Sequence, residues 1–156
     1  LKVLSGVIKP EYAEIELKFA QVPAKQEWEA QLAKGNKYEQ GRAKAMLAKL
    51  AAGETIADEY PYPVQTWRLG DGPRWVILGG EVVVDYALRI KQEHGPERTW
   101  VAGYSNDVMA YIPSRRVLTE GGYEGGGAMV YYGQPTIWSE QVENQIMAEI
   151  DRQARK

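Results

Sequence analysis

The sequence predicts an α/β protein, a single domain with a mixed β-sheet and flanking helices. Three observations carry that reading. Residues 13–19 alternate, with Ala13, Ile15, Leu17 and Phe19 apolar and Glu14, Glu16 and Lys18 charged, the period of a strand with one buried face. Residues 75–78 form an apolar run that leads through Gly79-Gly80 into a segment of helical spacing, and 98–104 form a second run. Strand, helix and strand in that order imply a parallel pair. Amphipathic helical patterns at 37–52 and after Trp138 supply the flanking layers.

Taken in order, strand 13–19 stops at Val22-Pro23. Residues 25–34 read as a short helix with Trp28, Leu32 and Ala33 inward, ended by Gly35. Asn36 is a good N-cap for the next helix, with Glu39 in capping-box position. That helix runs to about Ala52 with Ala43, Met46, Leu47 and Leu50 on one side, and its Lys-rich face reads as solvated surface. Tyr60-Pro61-Tyr62-Pro63 reads as an extended connector, since each proline pushes its predecessor out of helical space. Residues 64–69 and 75–78 flank Gly70-Asp71-Gly72-Pro73, the pattern of a hairpin. The helix expected over 81–93 turns Val84, Ala87 and Leu88 inward, and Ser114 caps a short helix ending near Gly121. A Gly-rich loop at 121–127 precedes a short apolar strand at 128–132. The last helix opens at Trp138 or Ser139, with Val142, Ile146 and Ile150 inward. There is no internal repeat and no low-complexity linker.

The chain has 156 residues, 44% hydrophobic and 26% charged, with a net charge of −2 and no cysteine. That length suits one domain with a real core. Such a charge gives no argument for nucleic acid or an anionic membrane as partner. Disulfides, thiolate metal sites and cysteine nucleophiles are excluded. No stretch approaches the roughly 20 apolar residues of a membrane span. The first six residues are too short for a signal peptide and lack an initiating Met, so Leu1 reads as a cloning boundary or a processing point.

Three oxygen-bearing side chains stand at Gly-rich bends. Glu81 closes Gly79-Gly80-Glu81, Tyr111 ends the segment 103–111 that follows the run 100–102, and Tyr123 lies in Gly121-Gly122-Tyr123-Glu124-Gly125. An apolar run, then glycine, then a polar residue is how an α/β sheet delivers groups to the carboxyl ends of its strands. Each has a plainer reading. A carboxylate in a helix's first turn gains roughly 0.3–1 kcal/mol from the macrodipole, which would account for Glu81. Tyr111 suits a core or an interface, and Tyr123 can fill space above the glycines. Asn106 and Asp107 serve either to orient ligands or to close a turn on their own backbone. Arg115 and Arg116 can meet an anionic substrate group or form a solvated helix face. Gly125-Gly126-Gly127 lacks the Lys-Ser/Thr of a phosphate loop. Ser105 and Ser114 lack the context of a nucleophile elbow.

The stretch from about Tyr62 to Trp138 resembles the distal half of the catalytic domain of the neutral/alkaline, non-lysosomal ceramidase family, zinc amidases that cleave N-acyl sphingoid lipids. Gly80-Glu81 matches a strand ending in Gly-Glu. Residues 103–111 match Gly-x-x-Asn-x-x-x-x-Tyr, and Tyr123-Glu124-Gly125, twelve residues on, matches a Tyr-Glu-Gly/Ala element. The resemblance implies that Glu81 and Tyr111 are zinc ligands and that Tyr123 faces the scissile carbonyl. It implies an N-acyl lipid or another amide as substrate, and a secreted or periplasmic parent protein. The family's two remaining ligands are histidines in its proximal half. This chain has one histidine, His94, in Gln92-Glu93-His94-Gly95-Pro96, a helix-stop pattern. The chain therefore reads as the distal portion of such a domain, completed by the upstream half and not expected to hold zinc tightly alone. The Glu-to-Tyr interval is shorter than in the animal enzymes, and Ile112-Pro113-Ser114-Arg115-Arg116 replaces a Thr-rich segment. The alternative is a non-catalytic domain that binds a ligand or protein through Tyr- and Trp-rich surface, for which ten Tyr against one Phe is the compositional sign.

Overall fold

Period-2 alternation produces a strand longer than its apolar part. In the computed structural model, which describes residues 3–155, β1 spans Ile8–Lys18 and pairs antiparallel with β2 (Glu59–Leu69). The expectation about Leu1 lies outside the described residues. β2 pairs antiparallel with β3 (Arg74–Leu78), and β3 pairs parallel with β5 (Thr99–Ala102). The sheet order is therefore β1-β2-β3-β5, a mixed sheet as the sequence predicts.

Residues 60–63 are not a connector: they form the first half of β2. β3 pairs with β2 only over Val64–Arg68. Over Pro61 and Pro63 the strand has β1 alone as partner, so prolines without a donor are tolerated on the open side. Tyr62 is fully buried there, and its hydroxyl donates to the Gly79 carbonyl at 2.8 Å.

Helices α1 (Lys25–Lys34) and α2 (Lys37–Ala51) pack against each other around Trp28, Ala43 and Met46. Asn36 accepts from the Tyr38 and Glu39 backbones and Glu39 reaches back to the Asn36 N–H, the expected capping box. Leu32 and Ala33 are exposed, contrary to the sequence reading. Trp28 alone anchors the helix, with the Arg42 guanidinium 5.6 Å from its ring.

The next helix, α3 (Val84–His94), starts later than the spacing suggests, and Glu81 lies outside it. Glu81 and Val82 form a short strand, β4, parallel to β6 (Tyr111–Ile112). The inward side chains of α3 are Tyr86 and Ile90, not Val84 and Leu88, which are exposed. Beyond β6 come α4 (Arg115–Glu120), capped by Ser114 as expected, and α5 (Gly122–Gly125). The Gly-rich segment is thus partly helical. Residues 127–130 form a 3₁₀ turn rather than a strand. Finally α6 (Val142–Ala154) lays Val142, Ile146, Met147 and Ile150 into the core beneath β1 and β2. No helix among the described residues is long and apolar enough to cross a membrane.

The bend between β3 and β4 positions everything at the carboxyl end of the sheet. Gly80 has φ +67°, and a Cβ there would lie 2.7 Å from Ile112 Cγ1 and 2.8 Å from the Ala110 carbonyl oxygen. Ile112 is fully buried and cannot retreat. A left-handed non-glycine residue costs roughly 1–2 kcal/mol, and overpacking typically adds about 1–3 kcal/mol. Gly80→Ala is therefore expected to lower unfolding free energy by at least about 2 kcal/mol in urea denaturation. A change below about 0.5 kcal/mol, the ordinary range of surface substitutions, would show that the bend is not under this constraint.

Candidate functional site

Glu81 and Tyr111 are register partners in the β4–β6 pair, so their side chains leave the same face side by side. The segment 103–112 is tied to the bend by backbone bonds: Gly80 N–H donates to Asp107 O at 2.7 Å, Glu81 N–H to Ala110 O at 2.9 Å, and Tyr104 N–H to Gly80 O at 2.8 Å. Tyr111 is held from behind. Trp138 Nε1 donates to its carbonyl at 2.8 Å, while the Trp138 ring stacks on Phe19 at 4.6 Å.

Hydrogen bonding to the Glu81 carboxylate raises the phenol pKa of both Tyr104 and Tyr111 to about 12, with desolvation and the carboxylate charge adding to it. Tyr104 is a member of the site that the sequence reading missed. It directly follows Gly103 at the end of β5, the same apolar-run, glycine, polar pattern that singled out Glu81. Its φ of +54° is unusual for a non-glycine residue and turns its side chain back over β4. Tyr123, on α5, stands edge-on to Tyr111 with ring centroids 5.5 Å apart, and Tyr131 follows at 6.0 Å. The structure thus brings together Glu81, Tyr111 and Tyr123, and adds Tyr104.

A cleft of ≈ 270 Å³ opens beside this group, lined by Glu81, Val82, Tyr111, Arg116 and Glu124 among others. Arg116, not Arg115, reaches it. The Arg116 guanidinium bonds both Asp85 oxygens at 2.9 and 3.1 Å and chelates Glu120 at 2.8 Å. That contact, with the Ser114 hydroxyl at 2.5 Å, holds the Asp85 carboxyl below its usual range. Arg115 points to Glu140 at 3.7 Å, and its N–H donates to Glu143 at 2.7 Å. Asp107 accepts from the Tyr60 hydroxyl at 2.5 Å and offers its carbonyl to Gly80. Asn106, at φ +67°, bonds Gln65 weakly at 3.4 Å. Both brace the loop.

His94 ends α3, as its stop pattern predicts, and belongs to a different place. An α-helix rises about 1.5 Å per residue, so the ten steps from Val84 to His94 put it roughly 15 Å from the helix start next to β4. Its Nε2 lies 3.0 Å from Asp151 Oδ1, at an angle that makes no hydrogen bond. Ligand atoms of Glu93, His94 and Asp151 fall within 4.8 Å of one another. At the Glu81 end the donors are a carboxylate and phenols. Oxygen donors suit a divalent cation, but a catalytic zinc usually takes three protein ligands, imidazole among them. Glu81 and Tyr111 fit as part of such a centre and fall short of all of it.

The raised phenols have a measurable consequence. Both tyrosines stay protonated past their ordinary value of 10.0. Their bonds to Glu81 are therefore fully present below pH about 10 and are lost as pH rises through about 12. A phenolate absorbance titration should show a late-ionising fraction of the ten tyrosines. Glu81→Gln should move Tyr104 and Tyr111 back toward 10 and leave late those tyrosines that burial or Asp107 raises, Tyr60, Tyr62 and Tyr86. An unchanged titration in Glu81→Gln would mean that the carboxylate does not hold these phenols.

No protein-family model matches the chain, and no curated protein does. Among solved structures, a ceramidase complexed with C2 aligns with 96% of this chain and 31% of its own, at 16% sequence identity and a TM-score of 0.41. The chain thus spans under a third of that ceramidase's length.

Proposed function

We propose that the chain is the distal part of a zinc-dependent amidohydrolase of the ceramidase type, acting on an N-acyl amide. The observation that carries the reading is the pairing of Glu81 with Tyr111 on adjacent short strands. Both are the residues that the ceramidase resemblance implies as zinc ligands, and they meet at the carboxyl end of the sheet. Bound zinc supplies Lewis-acid chemistry and an activated water. Glu81 contributes a carboxylate oxygen and Tyr111 its phenol oxygen, with two histidines from the upstream half completing the set. Tyr123 is set against the Tyr111 ring and donates its hydroxyl to the carbonyl oxygen as charge develops there, the role of an oxyanion-hole donor. Tyr104 positions Glu81.

A second reading, a non-catalytic binding domain, draws on the exposure of the same rings. Tyr104, Tyr123 and Tyr131 are 60%, 56% and 53% exposed, an amphipathic aromatic surface suited to a partner.

The two readings part in the protein that carries this chain together with its histidine-bearing half. Glu81→Ala is expected to lower zinc content and amide turnover together. Tyr123→Phe is expected to keep zinc and lower kcat by about 10²–10³-fold, the usual loss for one oxyanion donor. Zinc content and turnover on an N-acyl amide series measure both. Full turnover by Tyr123→Phe removes its catalytic role. Zinc and activity both intact in Glu81→Ala would leave the binding domain as the better reading.

A further inference from the structure

At the opposite end of the strands, where β3 and β5 begin, the chain gathers positive charge. Arg68 and Arg74 are direct cross-strand partners, and Lys9 is the partner of Arg68 on the other side. Like charges placed directly opposite destabilise a sheet. Arg74 is half-buried, and burial, followed by the charge of Arg68, lowers its pKa. Arg98 precedes β5 and reaches the same place. Together Arg68, Arg74, Arg98, His94 and Gly72 line a cleft of ≈ 360 Å³.

The charges there are only partly answered. Arg74 donates to the Ala154 carbonyl at the end of α6 at 2.9 Å, and Arg98 to the Asp71 carbonyl at 2.8 Å. Both partners are neutral groups. Asp151 sits against His94, and the Asp71 carboxylate takes the Ser5 backbone and hydroxyl at 2.9 and 3.1 Å. Arg68, exposed at the mouth, forms no ion pair among the described residues. Of the Glu93, His94 and Asp151 group, only His94 lines the cleft. Three arginines line one opening, and the donors that Arg74 and Arg98 do not spend on the Ala154 and Asp71 carbonyls suit, with those of Arg68, the oxygens of a tetrahedral anion. A cavity of ≈ 360 Å³ falls in the size range of small-molecule sites and leaves room for a substituent beyond the anion itself.

We propose that this cleft binds a small tetrahedral oxyanion, a phosphate or sulfate group, between Arg68, Arg74 and Arg98. The anion offsets the repulsion between the facing arginines, so binding stabilises this edge of the sheet. The site is independent of the Glu81 group, because it lies at the amino ends of the strands that carry that group at their carboxyl ends.

The test is an amide chemical-shift titration of the 156-residue chain at constant ionic strength. The probes are inorganic phosphate, sulfate, phenyl phosphate and acetate. Saturable shifts at Gly72, Arg74 and Thr99 are expected with phosphate and sulfate, with half-saturation at or below about 1 mM, and much weaker ones with acetate. Tighter binding of phenyl phosphate than of phosphate would identify an ester as the source of the anion, and equal binding would identify the free ion. Arg68→Ala and Arg98→Ala, both at exposed positions, should each weaken phosphate binding roughly tenfold or more, the loss expected for a charge-assisted bond. Arg74 is left intact because it also caps α6. Non-saturable shifts, acetate binding as tightly as phosphate, or unchanged affinity in both variants would overturn the proposal.

Discussion

Backbone hydrogen bonds clasp the bend at Gly80 to the loop that precedes β6, and the candidate site hangs from them. Gly80, Glu81 and Val83 donate to the carbonyls of Asp107, Ala110 and Ile112, while Tyr104 and Ser105 donate back to Gly80 and Leu78. Two segments that cross in both directions leave no space for a side chain at Gly80. They also force Tyr104 and Asn106 into left-handed backbone, a strain sustained by the surrounding packing. The buried side chains of Met109, Ala110 and Ile112 beneath anchor the crossing to the core. Glu81 therefore faces Tyr111 because of main-chain geometry, and the side-chain contacts follow from it.

Much of this was legible because it depends on period and on local chemistry. The alternation at 13–19, the capping box at Asn36 and Glu39, the hairpin at 70–73 and the inward face of α6 are all carried by neighbours in sequence. What failed depends on neighbours in space. The apolar positions of α3 fit two phases, one with Val84 and Leu88 inward and one with Tyr86 and Ile90. The second prevails because the Tyr86 hydroxyl finds the Pro113 carbonyl inside the core at 3.1 Å, which satisfies the phenol on burial. Likewise Pro61 and Pro63 belong to a strand only because β3 ends short of them. Local pattern puts Glu81 in the first turn of a helix, yet its pairing with Tyr111 needs a segment thirty residues downstream that no local pattern announces.

Placement also changes what composition implied. A net charge of −2 gives no reason to expect an anionic ligand when spread over the whole chain. The sheet instead sorts its charges. β3 carries Arg74 at one end, opposite Arg68, and runs through buried Val76 and Leu78 to Gly80 and Glu81 at the other. A low-dielectric core lies between, so each end keeps its own local field. Global charge is a poor guide to partners where strands separate the signs.

The Glu81 end sets its own condition on any cation it receives. Its carboxylate already accepts the proton-bearing phenols of Tyr104 and Tyr111, whose pKa values stand at about 12. Uptake of a divalent ion by Glu81 and Tyr111 must displace at least one of these bonds, and ligation by phenolate must also release a proton. The two oxygen donors alone are a weak competitor against that proton at neutral pH. Further donors change the balance, because they strengthen the hold on the cation, and it is the cation's own charge that depresses the phenol. For the metal role proposed for Glu81 and Tyr111, it follows that the phenol protons compete with the cation and that the remaining donors must outweigh them.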